Sequence, residues 1–277
     1  MVVATLGNVW PMPSTDNHAN GGRNRVSYRL TLATLCLLLS LGPNSVQAET
    51  FRIGAEDDWF PYTALRNGKI QGMSVDIVRA AFAASNTDIE LVPYPYSRCM
   101  DTALRGEIMG CFNTLPNKQI ASEYLLPHYP LFNDDILLWA NSKTAEPVLS
   151  LAELSWQSVA VTIGYEYGAQ FDQMAAIQRV PVRRDLNGFL MLQRGRVDYT
   201  AAYRGTVRAL IAERPEFKDA FTPVATLIHA QLFLSFTRKD PRAPELISRF
   251  DKGMQIIHTN GTYQQILDHW HHQIAAD

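Results

Sequence analysis

Short apolar runs alternate with segments of helical periodicity from residue 51 onward. The runs FRIGAE and IELVPY predict strands, and the intervening GMSVDIVRAAFAA carries Val75, Val78 and Phe82 at helical spacing. The alternation continues with a helix at 97–105, the strand MGCF and, after a Pro-rich passage, the strand DILLWA. This order of elements is typical of a largely parallel sheet with right-handed crossovers.

A second series of the same kind begins after Pro147. It contains the strand VAVTI, a helix around AQFDQMAAI, the strand RVPV, the helix NGFLMLQR, the strand VDYTAA and the helix TVRALIAE. The last predicted strand, LFLSFT, is followed by two helices, PELISRFDKGMQII and GTYQQILDHWH, with no further strand after them. We therefore expect these two helices to cover a sheet that earlier strands have built.

The first 48 residues have a different pattern. Three arginines, Arg23, Arg25 and Arg29, precede the twelve-residue apolar run LTLATLCLLLSL, and small residues lead to Ala48. A basic segment, an apolar segment and a small-residue site predict a secretory signal peptide over residues 1–48 and hence a periplasmic protein. Twelve apolar residues are few for a membrane span, and a buried core helix is the alternative. The long basic segment leaves Met12 as an alternative start.

Composition excludes several classes of function. The chain has 277 residues, of which 47% are hydrophobic and 19% charged, as in globular proteins. Residues 1–48 hold three of the 25 basic and one of the 27 acidic residues, so 22 basic and 26 acidic residues remain, a formal charge of −4. With no long basic stripe, we expect no nucleic-acid partner. Cys36 follows Leu35 and not a small residue, which argues against a lipid anchor, and no cofactor motif is found.

The segment PYPYSRCM marks a corner between a strand and a helix. Pro95 prevents a much earlier helix start, and Ser97 is the predicted helix cap. Cys99 on this helix and Cys111 on the next strand are an even pair in an exported chain, which favours a disulfide. About eight residues of helix and four of strand have similar lengths, roughly 12 and 13 Å, so an antiparallel return brings both cysteines level. Two separate buried thiols are the alternative.

Five blocks of the chain resemble, in order, family 3 of the bacterial extracellular solute-binding proteins. They are RIGAEDDWFPYT, IQGMSVDIVRAAF, ALRGEIMGCF, GRVDYTAAYRG and the C-terminal LFLSFTRKDPRAPELISRFDKGMQIIHTNGTYQQILDHW. The resemblance implies a two-lobed α/β periplasmic-binding-protein fold of type II, with two mixed sheets, helices on both faces and two crossing strands matched by DILLWA and LFLSFT. Lobe 1 would comprise 49–138 and 230–277, and lobe 2 would be the inserted 139–229.

The resemblance also implies a function. Such a protein, a monomer without enzymatic activity or cofactor, closes its lobes over a small polar solute, such as an amino acid or a related carboxylate or amine. It then delivers the solute to the membrane permease of an ABC importer. The alternatives are a sensory subunit for a membrane receptor and a periplasmic enzyme like the cyclohexadienyl dehydratases, with Glu56 or Glu166 as the acid.

The candidate ligand contacts of lobe 1 begin with Glu56, Trp59 and Tyr62, which follow the first strand, where ligands of open α/β sheets bind. Trp59 matches the family's aromatic wall and Glu56 an acidic position that faces the ligand; lobe packing and a solvated charge are the alternatives. Tyr96 corresponds to the second aromatic wall. Arg98 resembles an aromatic-x-Arg subgroup, with a solvated arginine as the alternative.

Further candidate contacts follow three other strands. Asn113 and Thr114 match positions where the family meets a ligand carboxylate. Tyr165, after the strand VAVTI, begins a turn where N–H groups of the next helix are expected to receive an anion, unless it is a plain turn. Two positions depart from the family's amino-acid clamp: Lys118 stands nearest its arginine, and Tyr203 stands where it has an acid.

The histidines give little support for a metal site. His269 and His272 lie three apart on a predicted helix, a spacing that suits a metal ion, but no third ligand type is near them in sequence. The sequence therefore favours a solvated helix end over a metal site. We predict no metal site and no catalytic residue.

Overall fold

The computed structural model describes residues 49–148 and 150–276, so the predicted signal peptide lies outside the described residues. The strands are β1 (Phe51–Glu56), β2 (Asp58–Trp59), β3 (Thr63–Arg66), β4 (Lys69–Gln71), β5 (Ile89–Tyr94), β6 (Gly110–Thr114), β7 (Tyr124–Leu125), β8 (Phe132–Asn141), β9 (Ser158–Thr162), β10 (Gln178–Val182), β11 (Tyr199–Tyr203) and β12 (Phe221–Thr237). The α-helices are α1 (Met73–Ala84), α2 (Tyr96–Leu104), α3 (Lys118–Glu123), α4 (Ala169–Asp172), α5 (Asp185–Gln193), α6 (Arg204–Glu213), α7 (Ala243–Thr259) and α8 (Thr262–Ala276). Within the described ranges, no helix is long and apolar enough to cross a membrane.

The main sheet follows the strand order β10-β9-β11-β8-β12-β6-β1-β5, with β7 paired to β12. β1 runs parallel to β5 and β6, and β9 runs parallel to β10 and β11. β8 and β12 pair antiparallel with each other. On its other edge β8 pairs with β11, and the last part of β12 pairs with β6. These two long strands therefore connect the two halves of the sheet. This is the predicted two-lobed α/β fold with mixed sheets; below, lobe 1 means the part around β1, β5 and β6, and lobe 2 the part around β9, β10 and β11.

Three local expectations are corrected by the structure. Helix α2 begins at Tyr96 and its cap is Pro95, at φ −57° and ψ 139°, so Ser97 lies inside the first turn and does not cap the helix. The proline ring already holds the φ value that a helix entry needs. The helix predicted around AQFDQMAAI covers only Ala169–Asp172, and beyond it the carbonyl oxygens of Phe171 and Met174 accept hydrogen bonds from the Arg179 guanidinium. The strand LFLSFT is only the end of β12, which has 17 residues and pairs with β8 over much of its length.

The corner between β5 and α2 is held against β6. The sulfur atoms of Cys99 and Cys111 lie 2.06 Å apart, at the distance of a disulfide bond, and both residues are fully buried. Gly54 on β1 makes room for this pair, because a Cβ atom at that position would lie 2.3 Å from the Cys99 sulfur. The antiparallel return expected from the sequence thus brings the two cysteines together.

Removing this cross-link is expected to lower the free energy of unfolding by about 2–3 kcal/mol, because the 12-residue separation then no longer restricts the unfolded chain. Urea unfolding of the protein with and without reductant measures the effect. The Cys99→Ala/Cys111→Ala double variant is the control, since reductant should leave its midpoint unchanged. Equal midpoints for the wild type in both conditions would show that no bond forms.

Candidate functional site

The carboxyl ends of strands from both lobes meet at one small cavity. From lobe 1, Glu56 ends β1, Tyr96 follows β5, and Asn113 lies near the end of β6; from lobe 2, Tyr165 follows β9 and Tyr203 ends β11. The complete lining is Glu56, Trp59, Tyr96, Asn113, Tyr165, Glu166 and Tyr203. In each lobe, the parallel strands end at the same edge of the sheet. Side chains converge here because this edge of lobe 1 faces the corresponding edge of lobe 2.

Aromatic rings form most of the cavity wall. The ring centroid of Trp59 lies 4.9 Å from that of Tyr203 and 5.7 Å from that of Tyr165, with interplanar angles of 67° and 71°. Tyr96 and Tyr165 meet at 5.5 Å and 88°. Edge-to-face pairs of this kind are favourable. The wall therefore combines residues that lie far apart in the sequence and in different lobes.

Two carboxyl groups face the cavity, and each accepts a hydrogen bond from a phenol of the opposite lobe. The Tyr165 hydroxyl donates to Glu56 at 2.5 Å, and the Tyr96 hydroxyl donates to Glu166 at 3.1 and 3.3 Å from its two oxygens. Burial raises the pKa of Glu56 well above its ordinary value and that of Glu166 to about 7. Without a counter-charge, burial therefore disfavours the ionised form of both groups, and a substantial share of Glu166 is protonated at neutral pH.

Three polar atoms at the cavity have no partner among the described residues. They are the Trp59 indole nitrogen and both amide atoms of Asn113, all of them buried. The cavity leaves about 10 Å³ for the centre of a water molecule, which is room for about one water. Because leaving a buried polar atom unpaired costs roughly 1–3 kcal/mol, the site contains hydrogen-bonding capacity that a bound molecule can use.

Contacts across the cleft keep the lobes closed. Arg184 forms an ion pair with Asp58, and Arg66 forms one with Glu213, but all four side chains are substantially exposed. Exposed pairs contribute little, about 0–1 kcal/mol each. The buried aromatic contacts and the two phenol–carboxyl hydrogen bonds are therefore the main features that hold the closed form.

At Gly164 the backbone of lobe 2 approaches that of lobe 1 closely. Its φ of +86° lies in the left-handed region, and a Cβ atom there would lie 2.9 Å from that of Ser97 in the opposite lobe. The predicted anion site at this turn is not formed: α4 begins only at Ala169, and the Tyr165 N–H donates to the Thr162 carbonyl instead. Tyr165 contributes its phenol to the site, not its backbone.

The predicted contacts fall into three groups. The cavity is lined by Glu56, Trp59, Tyr96, Asn113, Tyr165 and Tyr203. Two others, Tyr62 and Thr114, are buried but outside the lining. Arg98 and Lys118 are exposed and also outside it. The predicted ligand contacts lacked Glu166, which the sequence analysis named only as an acid of the enzymatic alternative. Its position directly after Tyr165, beyond the end of β9, is a signal that could have added it to the contacts.

A second and larger cavity lies beside the two crossing strands. Its volume is about 540 Å³, and Tyr62, Asp134 and Gly205 are among the residues that line it. Tyr62 stacks on Phe132 and donates a hydrogen bond to Asp134, which also accepts the Gly205 N–H at 3.0 Å. The smaller cavity is the candidate functional site, because strand ends of both lobes and the unpaired polar atoms meet there.

Comparison with solved structures shows the fold. A histidine kinase sensor domain with similarity to periplasmic binding proteins is 21% identical, with a TM-score of 0.70 over 81% of this chain and 96% of its own. A mutant of ArgBP from T. maritima is 18% identical, with a TM-score of 0.68 over 80% and 94%. The arginine-, lysine-, histidine-binding protein ArtJ from Geobacillus stearothermophilus is 15% identical, with a TM-score of 0.67 over 80% and 95%.

Comparison at the level of sequence assigns the family. No curated protein matches the chain. The model of the bacterial extracellular solute-binding proteins, family 3, matches residues 51–273, which include every strand, all of the cavity lining and most of the last helix. The chain therefore belongs to family 3 of the bacterial extracellular solute-binding proteins.

Proposed function

We propose that this protein captures a small polar solute between its two lobes in the periplasm and delivers it to the permease of an ABC importer. The observation that carries the proposal is the closed cavity, where strand ends of both lobes meet around the unpaired Trp59 indole nitrogen and Asn113 amide. The closed cavity has room for about one water, so a solute binds with the lobes further apart than in this form; there it satisfies these atoms and replaces the phenols as partners of the carboxyl groups. Family membership supports the binding step.

The proposed lobes are 49–138 with 230–277, and 139–229. The strand pairing supports this division, because β8 and β12 each pass from one half of the sheet to the other. β8 pairs with β11 in one half, and β12 pairs with β6 in the other. Rotation about these two strands opens the cleft, in the manner of hinge closure. We propose that the protein acts as a monomer, because each cavity is completed by the two lobes of one chain.

The proposed ligand contacts are the cavity-lining residues, including Glu166. Arg98 and Lys118 stand outside this set, because their side chains are exposed and do not line the closed cavity. Tyr62 acts indirectly in this proposal: its hydrogen bond to Asp134 and its stacking on Phe132 position the loop that presents Trp59, which lies 4.4 Å from it between ring centroids.

A thermal-shift screen against amino acids, amines, polyamines, opines and small organic acids tests the proposal. A solute that binds only the folded protein raises its stability by about 2.7 kcal/mol at 100 times the dissociation constant. We expect at least one solute to raise the melting temperature in a concentration-dependent way. No shift with any member of the panel would refute solute capture.

A catalytic function is the second candidate, and Glu166 is the observation that favours it. Burial raises its pKa to about 7, so in a closed cavity this group holds a proton that it could donate to a leaving hydroxyl. Incubation with prephenate or arogenate distinguishes the two functions, because an enzyme forms product whereas a binding protein shows a melting shift without turnover. A sensory role shares the binding step and differs only in the membrane partner.

A further inference from the structure

We propose that the solute is a small organic cation without a carboxylate group, such as an aliphatic amine or guanidine. The inference rests on the proposed function and names the class of solute. Among the residues that line the cavity there are two carboxyl groups, Glu56 and Glu166, and no arginine, lysine or histidine. An anionic group bound there would face two acids without a compensating positive charge.

Three cationic side chains of the two lobes are either paired or exposed. Arg184 pairs with Asp58 at the edge of the cleft, and Arg98 and Lys118 are exposed. Two helices begin near the lobe 2 lining: α6 starts directly after Tyr203, and the four-residue α4 starts three residues after Glu166. In the described part of the chain, no arginine guanidinium lines the cavity that could bind an α-carboxylate through two parallel hydrogen bonds.

The aromatic wall suits a cation. Trp59, Tyr165 and Tyr203 meet edge to face within 5.7 Å of the Trp59 centroid, and Tyr96 closes the far side at 5.5 Å from Tyr165. An ammonium or guanidinium group within about 6 Å of such a ring face is attracted by the ring quadrupole. Several rings around one small space therefore add to the attraction of the two acids and do not depend on a ligand carboxylate.

The acids are available to a cation. In the closed protein their partners are neutral phenols, Tyr165 for Glu56 and Tyr96 for Glu166. An ammonium group that enters between the lobes can take the place of both phenols and gives each carboxylate a charged donor, which forms a stronger hydrogen bond. Burial raises the pKa of both acids when no cation is bound, so entry of the cation also favours their ionised form.

The unpaired neutral atoms select for a second polar group. The Asn113 amide offers one acceptor atom, its oxygen, and one donor atom, its nitrogen. The Trp59 indole nitrogen is a second donor atom. A second amine or guanidinium nitrogen can donate to the Asn113 oxygen, and a hydroxyl or an uncharged carbonyl can accept from the two donors. A carboxylate could accept from the same donors, but only at the cost of repulsion from Glu56 and Glu166.

Calorimetric titration with matched pairs of ligands tests the inference. The pairs are agmatine and arginine, putrescine and ornithine, cadaverine and lysine, and histamine and histidine, in which the two members differ only in the carboxylate. We expect at least one amine to bind, and to bind at least tenfold more tightly than its amino acid. Argininamide, which keeps the carbonyl but not the negative charge, should bind arginine's site more tightly than arginine does.

Isosteric variants locate the effect. Glu56→Gln and Glu166→Gln should each weaken binding of the preferred amine at least tenfold, whereas Glu146→Gln, at an exposed position outside the cavity, should leave it unchanged. Circular dichroism and the melting temperature of each variant establish that it is folded.

The outcomes separate this inference from the proposed function. Tighter binding of the amino acid in the pairs that bind, or binding of organic acids but of no amine, would overturn the cation inference and leave solute capture standing. Binding of no solute from any class would overturn both. Equal affinity of Glu56→Gln, Glu166→Gln and wild type for the amine would also contradict the inference, since the acids would then have no part in recognition.

Discussion

Replacing Trp59 by alanine is expected to lower the free energy of unfolding by about 3–5 kcal/mol, the usual effect of removing a buried tryptophan. Trp59 is 3% exposed and contacts Tyr62, Tyr165 and Tyr203 from both lobes. Its removal leaves a cavity at the junction of the lobes, which the surrounding rings can fill only in part. The variant should also lose solute binding, because the wall that the other rings pack against is gone.

Trp156→Ala is the matched control, since the same substitution is made on a side chain that is 77% exposed. Surface changes of this kind usually alter stability by no more than about 0.5 kcal/mol. Denaturant unfolding of both variants, followed by circular dichroism, gives the comparison. Trp59→Phe should recover part of the loss. If Trp59→Ala and Trp156→Ala were equally stable, the aromatic cluster would have no role in holding the closed form.

Replacing Glu166 by glutamine is expected to stabilise the solute-free protein at alkaline pH and to leave it nearly unchanged at pH 4. Burial raises the pKa of Glu166 from 4.5 to about 7, so the folded protein binds this proton more tightly than the unfolded chain does. The stabilisation from the bound proton is complete below pH 4.5 and is lost as the pH rises from about 4.5 to about 7. This pKa difference corresponds to about 3 kcal/mol in the free energy of unfolding. The effect is smaller if the lobes open and expose Glu166 to water.

The groups that face Glu166 determine how cleanly this slope can be assigned. After burial, the Tyr96 hydroxyl and the backbone N–H groups of Glu166 and Leu115 oppose the shift, while the charge of Asp172 adds to it. Asp185 titrates in the same range, because burial raises its pKa to about 6. Urea unfolding at pH 4, 6 and 8 for wild type, Glu166→Gln and Glu146→Gln separates these contributions. A wild-type slope that Glu166→Gln leaves unaltered would assign the pH dependence to other groups.

The helices and strands were largely predictable from sequence, and the exceptions have local causes. β5 was predicted at its observed bounds, because six residues with a β-type pattern lie between a turn and a proline. The extent of β12 was not predictable, since pairing with β8 extends it back through residues 221–231, a segment that contains Pro223, a residue that argues against a strand. The start of α2 was missed by one residue, because the proline itself takes the cap position in place of Ser97.

The candidate site was predictable by position and not by chemistry. Six of the ten predicted ligand contacts line the cavity, because residues at the carboxyl ends of strands converge wherever parallel strands share an edge. The sequence places Arg98 and Glu166 each next to a predicted contact, but which of them lines the cavity depends on the rotation of a helix and a turn; Arg98 is exposed and Glu166 lines it. The sequence predicted a positively charged contact, Arg98, at this site, whereas the structure places two acids there, Glu56 and Glu166.

The amino-acid order by itself determined the strands and helices and the corner at PYPYSRCM, because these follow from local periodicity and backbone restrictions. It also determined which residues lie at the ends of strands, where the ligand contacts were predicted. Only the tertiary structure decided which groups meet. Tyr165 reaches Glu56 across 109 positions, and Tyr96 reaches Glu166 across 70. Both contacts exist only when the lobes close, and the burial that closure produces raises the pKa of each carboxyl group.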